Sequence, residues 1–452
     1  MDSELLPATR RTLDHRLATA QAEARVPTLV AALARGGEQV WSGVRGAADG
    51  RFDPLRTQFR IGSITKTFTA ALVLRLRDEG ALALDGPIGA HLDGLPPEVA
   101  AVTPRQLLLH TSGLTSEPPG PWASRTPGRL RPALADLFQE PPLRHPPGAV
   151  HHYSNVGYAL LGALAARIRR APWDEVLRAE LLHPLGMDRT GRTAQAPAAE
   201  GWAVHPHADV LQREPAEDSG LLAPAGQYWS TAGDLLRWAR FLTEGEPGVL
   251  DAATVREMRQ PATAGSAGYG LGLDLGSAHG LDLFGHTGSV PGFRAGLFVA
   301  PGAGLAAVAL ADSGSFPGGI DSLVHDLLAT VERHEPRFPE PWRPMPDADP
   351  DLLALTGRWY WGPVPFTLGL RAGRRLELAP HGGGPDLLHP QPDGTWTGHD
   401  GSWHGETLRV VRPPDGAAPY LEVGTLVLTR EPYPAPGPTP GGTDPEGWRG
   451  RP

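Results

Sequence analysis

The sequence contains no cysteine. That removes disulfides, thiolate nucleophiles and zinc–thiolate sites from consideration. No apolar run approaches the roughly 18 residues a membrane helix requires, so no segment is predicted to span a bilayer. Positive charge is not in excess: a net charge of −9 and a pI near 6.0 give no basic footprint for nucleic acid. The first residues, Met1 to Leu6, lack the basic start, apolar stretch and cleavage site of a secretory signal, and the expected compartment is the cytoplasm. Lysine is all but missing. Of 41 basic residues, 40 are arginine and one is Lys66. Arginine stays protonated at any accessible pH, whereas a partly buried lysine can lose its proton and act as a base.

What is present reads as two globular regions, as expected for 452 residues. Residues 1–25 carry Leu13, Leu17, Ala20 and Ala24 at helical spacing, and two short strands are predicted around Arg35-Gly36-Gly37-Glu38. Phe68, Leu72 and Leu76 predict a buried helix between Ile61 and Glu79. Residues 81–245 read as helices separated by Pro- and Gly-rich loops. Strand-like runs return between Gly268 and Asp312, before a closing helix near 318–333. Strands at both ends with helices between them suggest one sheet built from distant parts of the chain. The Pro-rich stretch 336–350 reads as a linker. Short alternating runs over 351–433 read as an antiparallel meander closing into a small barrel, with Trp359-Tyr360-Trp361 in its core, and 434–452 as a Pro/Gly tail.

Three motifs carry chemistry. Gly62-Ser63-Ile64-Thr65-Lys66 lies where an extended segment turns into a helix, which puts Ser63 and Lys66 on one face about a turn apart. A serine hydroxyl is a weak nucleophile until a neighbouring base takes its proton. Tyr153-Ser154-Asn155 places a phenol and an amide two apart in a predicted loop, just ahead of an apolar helix. Gly285-His286-Thr287-Gly288-Ser289 is expected to follow a strand, with glycines that let a substrate backbone lie close. His151-His152 and His205-Pro206-His207 show no third ligand at metal spacing and read as loop histidines, and no metal or cofactor is assigned.

In this order, the Ser-x-x-Lys, Tyr-x-Asn and His-Thr-Gly motifs make residues 1–335 resemble the serine β-lactamase and penicillin-binding-protein superfamily. The branch is that of class C β-lactamases, D-aminopeptidases and related esterases. Phe59-Arg60-Ile61-Gly62, Leu107 through His110-Thr111-Ser112-Gly113-Leu114, Pro184-Leu185-Gly186-Met187 and Pro224-Ala225-Gly226 fit the same branch. The resemblance implies an α+β fold, an antiparallel sheet flanked by helices with a helical subdomain. The segment from Leu355 to Gly362 resembles the start of a lipocalin-like C-terminal β-barrel. By resemblance, Ser63 attacks a carbonyl, Lys66 and Tyr153 move protons, and Asn155 bonds the lysine or the substrate. The amides of Ser63 and Ser289 form the oxyanion hole, and Thr287 and Gly288 line the substrate. Position 286 departs from the β-lactamase pattern, where lysine is usual. A neutral imidazole does not hold a carboxylate as an ammonium does, which leaves His286 a part in proton transfer. Arg449, in the tail, is a candidate for a substrate carboxylate if that tail docks back.

Two enzymatic readings follow from one acyl-Ser63 intermediate. Water would make the protein a hydrolase of esters or amides in small or D-residue-containing peptides. An amine would make it a stand-alone peptide cyclase, drawing a peptidyl thioester from a carrier protein and closing it head to tail. A third reading, a catalytically silent ligand-binding protein, predicts no covalent labelling of Ser63.

Overall fold

The structure is a computed structural model that describes residues 4–46, 52–120, 125–130, 133–261, 268–338, 341–398, 401–414 and 418–433. The chain divides into two compact units, Met1–Phe338 and Pro339–Pro452.

In the first unit, helix α1 (Pro7–Ala24) buries Leu13, Leu17, Ala20 and Ala24 along one face. It is followed by a hairpin of β1 (Thr28–Arg35) and β2 (Glu38–Gly46). More than two hundred residues later come β3 (Asp274–Ala278), β4 (Leu281–Val290), β5 (Phe293–Ala300) and β6 (Leu305–Ala311). The six strands form one antiparallel sheet in the order β2-β1-β6-β5-β4-β3. Its two sequence-distant halves are joined by β1 against β6, from Leu29 opposite Ala311 to Arg35 opposite Leu305.

Period-two alternation explains why these strands read as unbroken apolar runs. In β1, Leu29, Ala31 and Leu33 face one core, shared with α1 and the closing helix, whereas Val30, Ala32 and Ala34 face another. Both faces are covered, so neither parity is free to be polar. Beside shorter helical turns, the unit has four further long helices among the described residues: α2 (Thr65–Asp78), α3 (Asn155–Arg169), α4 (Ala232–Glu244) and α5 (Ile320–His334). Helix α2 lies deepest, with every residue from Thr65 to Leu74 buried. Phe68 stacks on Trp238 of α4 with centroids 4.1 Å apart, and the Trp238 indole N–H donates to Thr67 Oγ1 at 2.7 Å. None of the described helices is long and apolar enough to cross a membrane.

Two local expectations need correction. The stretch 81–245 is not purely helical: a small hairpin, Trp202–Val204 with Leu211–Arg213, interrupts it, and His205 and His207 lie in its turn. The segment Gly285–Ser289 does not follow a strand but lies within β4, paired along its length with β5 and, at Gly285 alone, with Asp274 of β3. Its three polar side chains suit a strand because the segment borders the site rather than the core.

In the second unit, the short helix α6 (Pro350–Leu355) is capped by Asp349, whose carboxylate accepts from the amides of Asp351 and Leu352. Eight antiparallel strands follow: β7 (Gly357–Trp361), β8 (Val364–Arg371), β9 (Arg375–Pro380), β10 (Asp386–Pro390), β11 (Trp396–Gly398), β12 (Thr407–Val411), β13 (Tyr420–Val423) and β14 (Leu426–Leu428). Each pairs with the next, and Tyr360 and Thr429 exchange backbone hydrogen bonds of 2.7 and 2.9 Å that join β7 to β14. The result is a nearly closed barrel. Trp359, Leu376, Leu388, Leu408 and Leu421 fill its interior. Trp361, expected in this core, lies at the strand end and is 44% exposed.

Candidate active site

Ser63 occupies a 3-10 turn, Gly62–Ile64, that leads directly into α2, and Lys66 is the second residue of the helix. The turn begins with Gly62 at φ +50°, where a Cβ would lie 2.6 Å from the Ser289 amide nitrogen. Glycine is needed there both for the left-handed backbone and for the close approach of β4. On the other side, a Cβ on Gly288 would lie 1.9 Å from the Ile61 carbonyl oxygen and 3.2 Å from the Ser63 amide nitrogen. The two glycines thus bring the backbones of Ser63 and Ser289 against each other.

Lys66 is fully buried, and its Nζ has three partners: Ser63 Oγ at 3.1 Å, Asn155 Oδ1 at 2.6 Å and the Ala225 carbonyl at 2.8 Å. Two of these are carbonyl oxygens and can only accept. They take the two protons of a neutral amine and leave its lone pair toward Ser63. Burial pushes the Lys66 pKa down to about 7, against an upward pull from Glu117 and Asp274. The lysine is therefore poised between its two protonation states near neutrality.

Asn155 is not in the loop where sequence placed it but is the first residue of α3, because Ser154 caps that helix by accepting from the Gly157 amide at 3.0 Å. Its Nδ2 donates to Glu117, which fixes the amide with its oxygen toward Lys66. Tyr153 hydrogen-bonds the Ser63 side chain, and its ring lies 4.7 Å from Lys66 Nζ. Loss of hydration pushes the phenol pKa up, so it remains protonated across the neutral range.

His286 stands further back. Its Nδ1 lies 2.5 Å from the Thr287 carbonyl and its Nε2 3.2 Å from the Tyr269 hydroxyl, while Asp274 approaches to 3.8 Å. Because a carbonyl can only accept, Nδ1 carries the proton, and Nε2 of the neutral ring accepts a hydrogen bond from the Tyr269 hydroxyl. Burial lowers the pKa of His286, which favours that neutral form. Its nitrogens bond Tyr269 and Thr287 rather than Ser63, Lys66 or Tyr153. Thr287 is half-buried and Gly288 buried, and Arg449 lies outside the described residues.

A cavity of about 420 Å³ opens over Ser63, and Asn155, Ser289, Glu117, Glu214 and Arg125 are in its wall. Arg125 and Glu214 form an ion pair. Sequence reasoning gave no role to Glu117, Asp274, Tyr269 or the Ala225 carbonyl. Pro224-Ala225-Gly226 was visible as a family segment, but a carbonyl contact has no side-chain signature. Glu117 and Asp274 look like ordinary surface acids until the fold turns them toward Lys66.

A family model described as Beta-lactamase matches residues 12–330, and one for a domain of unknown function (DUF7586) matches 348–430. Penicillin-binding protein 4 of Amycolatopsis lactamdurans is 32% identical over 330 residues, covering 67% of this chain and 84% of that protein. The chain spans 53% and 51% of the length of two other curated relatives. Among solved structures, D-amino acid amidase from Ochrobactrum anthropi SV3 matches with a TM-score of 0.61 at 26% identity, over 72% of this chain and 99% of that one. SurE matches with a TM-score of 0.59 at 26% identity, over 94% and 99%.

Proposed function

The chain belongs to the beta-lactamase family and is a serine hydrolase or acyltransferase of the β-lactamase/penicillin-binding-protein type; from that premise we propose that it forms an acyl-enzyme on Ser63 and hydrolyses ester or amide bonds in small or D-residue-containing peptide-like substrates. The observation that carries this reading is the Lys66 amine, held by two carbonyl acceptors with its third direction on Ser63 Oγ.

Lys66, with a pKa near 7, takes the Ser63 proton as the hydroxyl attacks. Tyr153, still protonated at that pH, passes its proton to the leaving group and recovers one through the same hydrogen bonds. The amides of Ser63 and Ser289 receive the developing oxyanion, and Thr287 and Gly288 border the substrate strand. His286 keeps the ground beneath Tyr153 neutral rather than supplying a fixed cation. Two carboxylates, Glu117 and Glu214, share the cavity wall with one guanidinium, that of Arg125, which is paired with Glu214, and this acidic balance suits a substrate bearing an amine.

The similarity to a D-amino acid amidase, and to SurE, also solved with D-Leu, supports a D-configured acyl residue. SurE matches over nearly the whole chain, both units included. A second outcome stays in the test because an acyl-enzyme can also be resolved by a peptide's own amine, from a carrier-bound thioester. The test is mass-spectrometric product analysis with D-residue amides and a peptidyl thioester ending in a D-residue, beside Ser63→Ala. Ser63-dependent linear acid supports hydrolysis. A macrocycle would replace that name with cyclase, and unchanged substrates throughout would sink both.

A further inference from the structure

His110 is buried, titratable and strained, and the chemistry above does not use it. It follows the short helix Pro104–Leu108 and its C-cap Leu109, and its φ is +56°. That left-handed conformation costs any residue but glycine, although asparagine, aspartate and histidine adopt it more readily than other side chains. Its Nε2 is buried without a hydrogen-bond partner among the described residues, which is a further cost of keeping histidine at this position.

What the position gains is a hold on three consecutive residues. The His110 carbonyl accepts from the His152 amide at 2.7 Å. The imidazole lies against the Tyr153 ring, with centroids 4.2 Å apart and planes inclined by 32°. Its Nδ1 accepts from the Ser154 amide at 3.0 Å. The loop that follows continues the template: Thr115 O accepts from Ser154 Oγ at 2.6 Å, and Ser116 O accepts from the Asn155 amide at 2.8 Å. An amide can only donate, so Nδ1 is unprotonated and the ring is the neutral Nε2–H tautomer. Burial, reinforced by Lys66 and His151, lowers the His110 pKa in the same direction.

We infer that His110 is a positioning residue: its ring and Nδ1 set the Tyr153-Ser154-Asn155 segment so that the phenol meets Ser63 and the amide oxygen meets Lys66. The inference rests on the acyl-Ser63 reading. A residue kept only for the turn would be better replaced by glycine, which relieves the backbone but offers neither ring nor acceptor. Asparagine tolerates the same φ, and its Oδ1 stands where Nδ1 stood.

The test is the rate at which a fluorophosphonate labels Ser63 in the full-length chain, read by intact mass, for wild type, His110→Gly and His110→Asn. Folding is checked by circular dichroism and thermal melting. His110→Gly should label about a hundredfold more slowly, the scale of a misplaced proton-transfer group, and His110→Asn within about tenfold of wild type. With an activated ester, the glycine variant should lose kcat while KM holds. A folded His110→Gly that labels as fast as wild type overturns the inference, and so does a folded His110→Asn with a hundredfold loss. The asparagine result decides the matter if the glycine chain does not fold. An unlabelled wild type would instead remove the acyl-Ser63 reading, and this inference with it.

Discussion

The two units bury different chemistry. In Met1–Phe338 the interior holds Lys66, His110 and His286, none more than 3% exposed, along with Arg60 and Asp312. In Pro339–Pro452 no polar or charged side chain is buried among the described residues; Trp359, Leu368, Leu376, Leu378, Leu388 and Leu408 occupy the barrel. Buried polar groups cost stability unless paired, and they persist where chemistry requires them. The barrel is therefore built for its own stability, and its filled interior gives no support to sensing a ligand there.

The contrast predicts where damage abolishes activity and where it only lowers stability. Ser63→Ala should abolish turnover, and Lys66→Arg should lower it at least about a hundredfold, because arginine cannot act as the base. Steady-state kinetics on a D-residue amide checks both. Near-wild-type activity in Lys66→Arg would break the comparison at its centre.

The same lysine sharpens the comparison through pH. With a folded pKa of about 7, only the neutral fraction accepts the Ser63 proton, so kcat/KM should fall about tenfold per unit below pH 7 and level off above it. Stability should follow the same group. Between about 7 and the ordinary 10.5, the unfolded chain binds a proton that the folded chain does not, so Lys66 makes stability rise with pH across that window. Lys66→Met should flatten that slope in pH-dependent melting, and an unchanged slope would assign it to another group.

In the barrel, Trp359→Ala removes a fully buried indole whose Nε1 donates to the Leu355 carbonyl at 2.7 Å. The expected cost is about 3–5 kcal/mol in the barrel's unfolding transition. Ser63 labelling should stay within about twofold of wild type below that transition. A matching loss of labelling would show that the catalytic unit depends on the barrel's integrity, and the two could no longer be treated as separate.

What sequence revealed of the site follows from how local each signal is. Ser63 and Lys66 were legible because three residues of helix fix their geometry, and because lysine occurs once in the chain. The two-residue spacing of Tyr153 and Asn155 was equally local. Their setting was not, since Ser154 acts as an N-cap only once Gly157 has turned back to it. The third partner of Lys66 is a backbone carbonyl 159 residues away, and Tyr269 reaches His286 from 17 residues away, contacts no periodicity encodes. The sheet was readable from its apolar runs. The small pairing of Phe59–Arg60 with Trp229–Ser230, which anchors the segment entering Ser63, is too short to leave a pattern.

The smallest predicted effect comes from a buried charge that the catalytic unit keeps outside its catalytic set. Asp312, just beyond β6, is 2% exposed, and its Oδ1 accepts from the Thr28 amide at 2.5 Å. Burial pushes its pKa from 3.8 up to about 7. Between those values the folded chain holds a proton that the unfolded chain has released. The stability associated with the neutral acid is therefore complete below about pH 4 and is lost as pH rises through 7. Asp312→Asn keeps an oxygen for the Thr28 amide and removes the charge. It should leave melting at pH 4 nearly unchanged and raise stability at pH 8 by about 1–2 kcal/mol, a fraction of the full linkage because local relaxation relieves part of the burial cost. Equal stabilisation at both pH values would mean that ionisation is not what the mutation relieves. Loss of Ser63 labelling at pH 8 in a stabilised protein would move Asp312 to the functional side of the comparison, acting through the adjoining Gly314 and Ser315 in the cavity wall.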